Sequence, residues 1–513
     1  MRKFAVGWVG LVLLALSGPS RADILCLKDG RIYQDVNLVR DGDGVLVKFE
    51  NGEVRVPSEQ VLEAILLNDT SYEPETDEER EKLAAGKVKF DGRWVSHSRR
   101  DKLLSARLEE ETERIEEMRR TSEWRNRIQE ETKNFAFEVT MPRNVFEHFK
   151  DLVEVYFAEF GKTFKIKRPR GLDRLPLLWY NDYDQFVQVT GMNGALGFFT
   201  FVEPMNINLF YDRLDLLLTE QVMYHEVGHY LQKLFDVEVK YPHWPGEALC
   251  EYYGASTYDP KTKKMTTGLI QEGRLTEIKY DISRGKWIGV KEMILGCQDR
   301  NYEDYTWGWS FVHYMMNHPK YSKKFPKFVT AVSKAKDIKR VRMQITPKVA
   351  LKTVEGEEML RAFMKYMGIK KESELEEIEK GWHEYVDKEL VVSSSQGLAE
   401  AAVSNLRRGR PKKALRLFGE AVEAGSCRAI DLHRYAKLLA TEGEAEKAIE
   451  LWREAMTMDP LTAEYYVSCG AQLLRRESSK DREEGRRLLL LSREINSDDS
   501  SLDRRVTRLL DED

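Results

Sequence analysis

The sequence predicts a multidomain α+β chain: a small antiparallel β module, a charged helix, a large mixed domain, and an all-helical C-terminal region. Three observations predict it. Short β-type runs alternate with turn signals between Ile24 and Ile65, the composition turns aromatic and apolar near Asn134, and small residues recur at a 34-residue interval late in the chain. At 513 residues, with 42% hydrophobic and 33% charged side chains, the chain is too long for one ordinary domain and has the balance of a soluble globular protein. The 81 Lys and Arg against 86 Asp and Glu leave a net charge of −5, without the basic excess that phosphate backbones attract, so no nucleic-acid partner is expected.

Residues 1–22 read as a signal peptide. Arg2 and Lys3 precede an apolar run from Phe4 to Leu16, Gly18-Pro19 breaks it, and Ser20-Arg21-Ala22 offers small residues where a signal peptidase cuts. The run is short for a bilayer and no later stretch is long and apolar enough, so the mature chain is expected to be secreted or periplasmic, with no membrane span. Leu25 before Cys26 stands where a lipoprotein signal needs a small residue. The five cysteines, Cys26, Cys250, Cys297, Cys427 and Cys469, lack metal-ligand spacing and read as buried packing residues, with a Cys427–Cys469 bridge as the alternative.

From 23 to 70 the turns Lys28-Asp29-Gly30, Asp41-Gly42-Asp43-Gly44 and Glu50-Asn51-Gly52 separate runs such as Gly44–Phe49, predicting a small antiparallel barrel, SH3-like in size. It holds no cluster of catalytic residues and reads as a docking or structural module. From 71 to 133 Glu, Arg and Lys dominate. A hairpin is expected over Val88–Val95, then a solvated helix in which Glu110–Arg114, Glu116–Arg120 and Glu123–Arg127 place acid four residues before base. That pattern suits a spacer; a two-stranded coiled coil would need a cleaner heptad than Leu104, Leu108, Ile115, Met118 and Ile128 provide. The large domain is expected over 134–390, with strands at Phe135–Thr140, Leu175–Tyr180, Leu196–Phe201 and Asn206–Tyr211. After the polar link Val392–Ser395, helices fill 391–513. Gly409, Ala414 and Ala421 recur as Gly443, Ala448 and Ala455, Pro460 closes the second unit, and Gly485 and Ser492 mark a degenerate third. This period resembles tetratricopeptide repeats, helix hairpins whose surfaces suit a protein partner.

One pentapeptide carries the functional reading: His225-Glu226-Val227-Gly228-His229, within a helix-patterned run that starts at Leu216. On a helix, residues i and i+4 share a face, so both imidazoles converge on one ion and Glu226 lies beside it. Downstream, Pro245 suits the first turn of a second helix on which Glu247 and Glu251 share a face, and a carboxylate from that helix completes a His2Glu set with an open fourth position. The pair of motifs resembles the gluzincin branch of zincin metallopeptidases, in particular peptidase-MA-like proteins, in which H-E-x-x-H is followed by a P-x-W-x-x-E-G-x-A-E-Y-type stretch. Pro242-His243-Trp244-Pro245-Gly246-Glu247-Ala248-Leu249-Cys250-Glu251-Tyr252 matches it, with Ala248 where Gly is usual.

The resemblance covers about half the chain by domain extent and implies a zincin-like α+β metallopeptidase domain. By it His225, His229 and Glu247 are zinc ligands, Glu226 is the general base, and Glu251 orients the first histidine. The segment Asn301–Tyr314 is similar to the family's downstream helix, which makes Tyr305 the candidate for holding the developing oxyanion, with Tyr302 and His313 as alternatives. His243 reads as a supporting loop residue rather than a fourth ligand. In zincins the sheet-edge strand before the metal helix binds extended peptide; Leu196–Phe201 and Asn206–Tyr211 both compete for that place. Glu374–Val386 looks like the domain's terminal helix. The function implied is an exported zinc metallopeptidase acting on a peptide or protein substrate. The alternative is a catalytically silent zincin-fold scaffold that recruits partners through its repeats and barrel.

Overall fold

The computed structural model describes residues 23–66, 74–90, 92–296, 302–392, 394–425, 427–496 and 499–512. Residues 1–22, read above as a signal peptide, and Cys297 and Asn301 lie outside the described residues. The protein is mixed α+β, β-rich at its N-terminal end and all-helical at its C-terminal end, and divides into two compact units, Met1–Glu111 and Thr112–Asp513.

In the first unit the strands Asp23–Leu27, Ile32–Asp41, Gly44–Phe49, Gly52–Val56 and Val61–Ile65 form one antiparallel sheet in the order fourth, third, second, first, fifth. Period-two alternation buries Val45, Val47, Val54 and Val56 on one face. Gly42, at φ +60°, takes the left-handed turn position between the second and third strands, where a side chain would be strained. A hairpin of Lys87–Phe90 and Arg93–Ser96 leads into the helix His97–Thr121. This helix is not solvated all round: Leu104 is buried, and buried Glu111 accepts from the Cys26 thiol at 3.5 Å. The expected Glu123–Arg127 helical pair does not form, because the helix ends at Thr121. Glu123 accepts from Arg125 instead, at 2.7 Å, and Arg127 turns to Glu138.

The second unit is built on a five-stranded sheet in the order Gly197–Thr200, Asn206–Phe210, Leu175–Tyr180, Phe135–Val139, Ile128–Glu131. The three inner strands are parallel, and each outer strand is antiparallel to its neighbour. The sheet starts ahead of residue 134 because Ile-Gln-Glu-Glu offers a single apolar residue, too little for an alternation signal. The edge before the histidine helix is Gly197–Thr200, while Asn206–Phe210 lies inside the sheet. Apolar residues spaced by three and four along Arg143–Phe164 give that helix one buried face, with Phe149 at 4.4 Å from Trp179 and Phe146 at 5.3 Å from Phe137 by ring centroid.

From Ser395 onward the unit is entirely helical. Ala414, Ala421, Ala448 and Ala455 are fully buried where paired helices touch, and Gly409 and Gly443 end the first helix of two hairpins at φ +67° and +89°. In the next hairpin a Cβ on Gly470 would stand 2.9 Å from the Gly485 carbonyl oxygen, so both positions need glycine. The segment read as a polar link works as a helix cap: Ser394 accepts from the Gly397 amide at 3.1 Å and its own amide donates to Glu272 at 3.0 Å. A Cβ on Gly397 would lie 2.3 Å from Glu272 Cβ, so the helices Ser395–Arg407 and Glu272–Ser283 cross at a distance only glycine permits. Cys26, Cys250, Cys427 and Cys469 are all free, which leaves no Cys427–Cys469 bridge. No helix among the described residues is long and apolar enough to cross a membrane.

Two buried carboxylates join the C-terminal helices to the sheet-bearing part. Asp215 pairs with Arg428 at 2.6 Å and Arg434 at 3.0 Å, and Glu277 pairs with Lys413 at 2.9 Å. Burial raises the pKa of Asp215, but the two arginines outweigh it and hold the carboxyl below its ordinary value. A depressed folded-state pKa contributes stability that is complete above the unfolded value, about 3.9, and is lost as pH falls through the folded one. Arg428→Met is expected to cost about 3 kcal/mol in urea unfolding at pH 7, the low end for breaking a buried pair because Arg434 still faces Asp215. The difference from wild type should shrink in acid below the unfolded pKa.

Candidate metal centre

The helix Leu216–Lys233 follows the inner strand Asn206–Phe210 and is capped by Asp215, whose side chain accepts from the Leu218 amide. A Cβ on Gly197 would meet Val222 Cγ1 at 2.8 Å, so the edge strand lies directly on this helix one turn ahead of His225. His225 and His229 project from one face with ring centroids 4.8 Å apart. The helix His243–Gly254 crosses beside them. Their closeness depends on Gly228, where a Cβ would stand 2.8 Å from Cys250 Sγ and 3.0 Å from the Tyr156 hydroxyl. On the other side Ala248 packs against Gly308 of the helix Tyr302–Asn317, 3.1 Å from where a Cβ would be. The small residue at 248 keeps that crossing tight.

The two helices bring three donor atoms together. His225 Nε2 lies 3.2 Å from His229 Nε2 and 3.1 Å from Glu247 Oε2, and His229 Nε2 lies 3.4 Å from the same oxygen. A tetrahedral ion with ligands at about 2.0–2.1 Å has edges of roughly 3.3–3.4 Å, so the triangle is one face of such a tetrahedron. Glu247 Oε2 is buried and has no hydrogen-bond partner among the described residues, although it is within ion-pair distance of both imidazoles. An orphaned carboxylate oxygen between two ring nitrogens fits a shared cation. Burial raises the pKa of Glu247, but His229 and His225 outweigh it and keep the carboxyl ionised, as a ligand requires.

Each donor has a support behind it. Glu251 Oε1 stands 3.5 Å from His225 Nδ1, and Arg274 holds that carboxylate with both ends of its fork, Nη2 to Oε1 at 2.8 Å and Nε to Oε2 at 2.9 Å. Burial raises the Glu251 pKa, and Arg274 and His225 bring it down to about 2. Cys250 Sγ lies 3.5 Å from His229 Nδ1 and accepts from Gln232 Nε2 at 3.1 Å; burial pushes the thiol pKa well up, so it stays neutral. His243 Nε2 faces Glu247 Oε1 at 3.5 Å, and its Nδ1 is 2.6 Å from buried Asp304. These partners face the Nδ1 atoms and leave both Nε2 atoms directed to the common point, and a metal ligand would need the proton on Nδ1. His243 is thus a support for Glu247, placed at the first residue of its helix.

A cavity of about 500 Å³ opens beside the triad, lined by His225, Glu226, Glu251 and Tyr305. The Tyr305 ring stacks on His225 at 6.1 Å, and burial together with the Glu247 charge raises its hydroxyl pKa. Tyr302 also lines the cavity, but its hydroxyl is taken by Arg274 at 3.0 Å and Ser404 at 3.2 Å. His313 is buried away from it, bonded to the Gly268 carbonyl and to Tyr385. Arg274, Asp304, Gln232 and Cys250 were not among the expected site residues. Cys250 shares the Glu247 face at i+3, a signal the sequence did carry; Arg274 and Asp304 come from other helices with no diagnostic spacing. No protein-family model matches the chain, and no curated protein matches it.

Glu251→Gln removes the charge that Arg274 holds against His225 while keeping the side chain's size. Chelator competition should show zinc affinity lowered about 10- to 100-fold with the saturating stoichiometry unchanged. Unchanged affinity would leave Glu251 without a role in orienting His225.

Proposed function

We propose that the chain is an exported zinc metallopeptidase of the gluzincin type. The observation that carries this reading is the convergence of His225 Nε2, His229 Nε2 and Glu247 Oε2 within 3.1–3.4 Å, with the carboxylate oxygen lacking any hydrogen-bond partner among the described residues. Zinc held by these three supplies Lewis acidity that acidifies water and polarises a carbonyl. Glu226, on the cavity wall next to His225, accepts the proton of the attacking water and returns it to the leaving amine. Tyr305 reaches the same space and donates to the developing oxyanion. The half-buried edge strand Gly197–Thr200, one turn from His225, pairs with extended substrate backbone. In this reading the N-terminal sheet is an SH3-like docking module, and the C-terminal hairpins are tetratricopeptide-like repeats with a surface for a protein partner.

The test is turnover of a mixed peptide library read by mass spectrometry. Glu226→Gln should keep its zinc and lose about 10²- to 10⁴-fold in rate. Tyr305→Phe should lose about 10²-fold with zinc retained. Wild-type turnover by Glu226→Gln would overturn the mechanism.

A further inference from the structure

The cavity beside the triad is not walled by the sheet-bearing part alone. The histidine helix lines it, and so does the helix Ser395–Arg407 with the turn after it, which contributes Val403, Ser404, Arg407 and Arg408. The C-terminal helices therefore form part of the cleft wall, fixed there by the Asp215 and Glu277 ion pairs. An extended substrate that enters from the triad meets a wall of guanidinium groups.

Not every guanidinium on that wall is held by a carboxylate. Arg274 is held by both oxygens of Glu251, and Arg428 by Asp215 and Asp431. Arg408 stacks on Tyr302, its guanidinium carbon 3.5 Å from the ring centroid, and its nearest carboxylate, Glu277, is 3.7 Å away. Its Nη1 is buried without a hydrogen bond. Arg407 makes no hydrogen bond or ion pair with any described residue. The residue is exposed and lines the cavity; desolvation and neighbouring Arg434 push its pKa below the usual arginine range against the pull of Asp215 and Asp212, neither of which it pairs with. Glu400, the carboxylate nearest in sequence on this wall, accepts from Gln396 at 3.0 Å, and burial raises its pKa. It makes no ion pair with Arg407.

We infer that Arg407, backed by Arg408, is the carboxylate-binding residue of this cleft, so that the peptides taken by the site carry a carboxylate at the end that meets the C-terminal helices. The inference rests on the peptidase reading and adds to it the substrate class and the part of the chain that selects it. A carboxylate reaches such a wall in two forms, as a free C-terminus or as an Asp or Glu side chain. A guanidinium fork binds either by paired hydrogen bonds. A C-terminus would end the peptide at this wall; a side chain would also suit a longer peptide that continues past it.

The test measures binding rather than turnover. The full-length Glu226→Gln chain, loaded with zinc, is titrated with three labelled N-acetyl hexapeptides of one neutral sequence: the free acid, the amide, and the amide with one residue changed to Glu. Fluorescence anisotropy should show the free acid bound about tenfold tighter than the neutral amide. Arg407→Gln should abolish that ratio while leaving amide affinity and zinc content unchanged, and Arg407→Lys should restore part of it. Preference for the free acid assigns the terminal carboxylate; equal preference for the Glu-containing amide assigns the side chain. Three equal affinities, untouched by Arg407→Gln, would overturn the assignment and leave the peptidase reading standing. Failure of all three peptides to bind zinc-loaded protein would overturn the peptidase reading, and the Arg407 assignment with it.

Discussion

The site depends on how closely two helices approach. Two donors on one helix can share an ion through i, i+4 spacing alone, but the third must arrive from outside within little more than 3 Å of both. Gly228 allows this: with no Cβ there, Cys250 and Tyr156 sit against the backbone of the histidine helix, and Glu247, on the face shared with Cys250, falls between the imidazoles. The Ala248–Gly308 contact applies the same constraint from the far side. Thus the sequence positions between the three donors, which carry no chemistry, set the geometry of those that do.

Around the triad the protein spends charge on orientation. Arg274 locks Glu251 behind His225, Asp304 locks His243 behind Glu247, and the Gln232–Cys250 pair stands behind His229. Arg274 also donates to Tyr302, whose hydroxyl meets Ser404 and whose ring carries Arg408. The C-terminal helices are therefore part of the surroundings of the triad. Asp215 shows this in another way: the residue that caps the histidine helix is the one that Arg428 and Arg434 hold. A change in those helices acts on the start of the helix that presents His225 and His229.

The local features of this arrangement were legible in the sequence. The H-E-x-x-H spacing, the following Glu247 helix and the small-residue recurrence are periodic signals, and periodicity survives without coordinates. Tyr305 came from resemblance, and the structure brings its ring onto His225. What spacing does not encode was missed. Arg274 and Asp304 meet the site through tertiary packing, and the Ile128–Glu131 strand hides in a charged stretch. The polar stretch near Ser394 reads as a linker because a cap and a linker use the same residues. The role of the C-terminal helices in walling the cavity follows from Arg428–Asp215 and the Gly397–Glu272 crossing, contacts between residues far apart in the chain.

The most direct test of the central claim is metal content per chain, by inductively coupled plasma mass spectrometry of the protein purified without chelator, beside His229→Ala. About one zinc per wild-type chain and none in the variant is the result expected of a three-ligand centre. No zinc in either protein, even after reconstitution, would contradict it. The His225–His229–Glu247 cluster would then be a half-buried polar network within a binding scaffold.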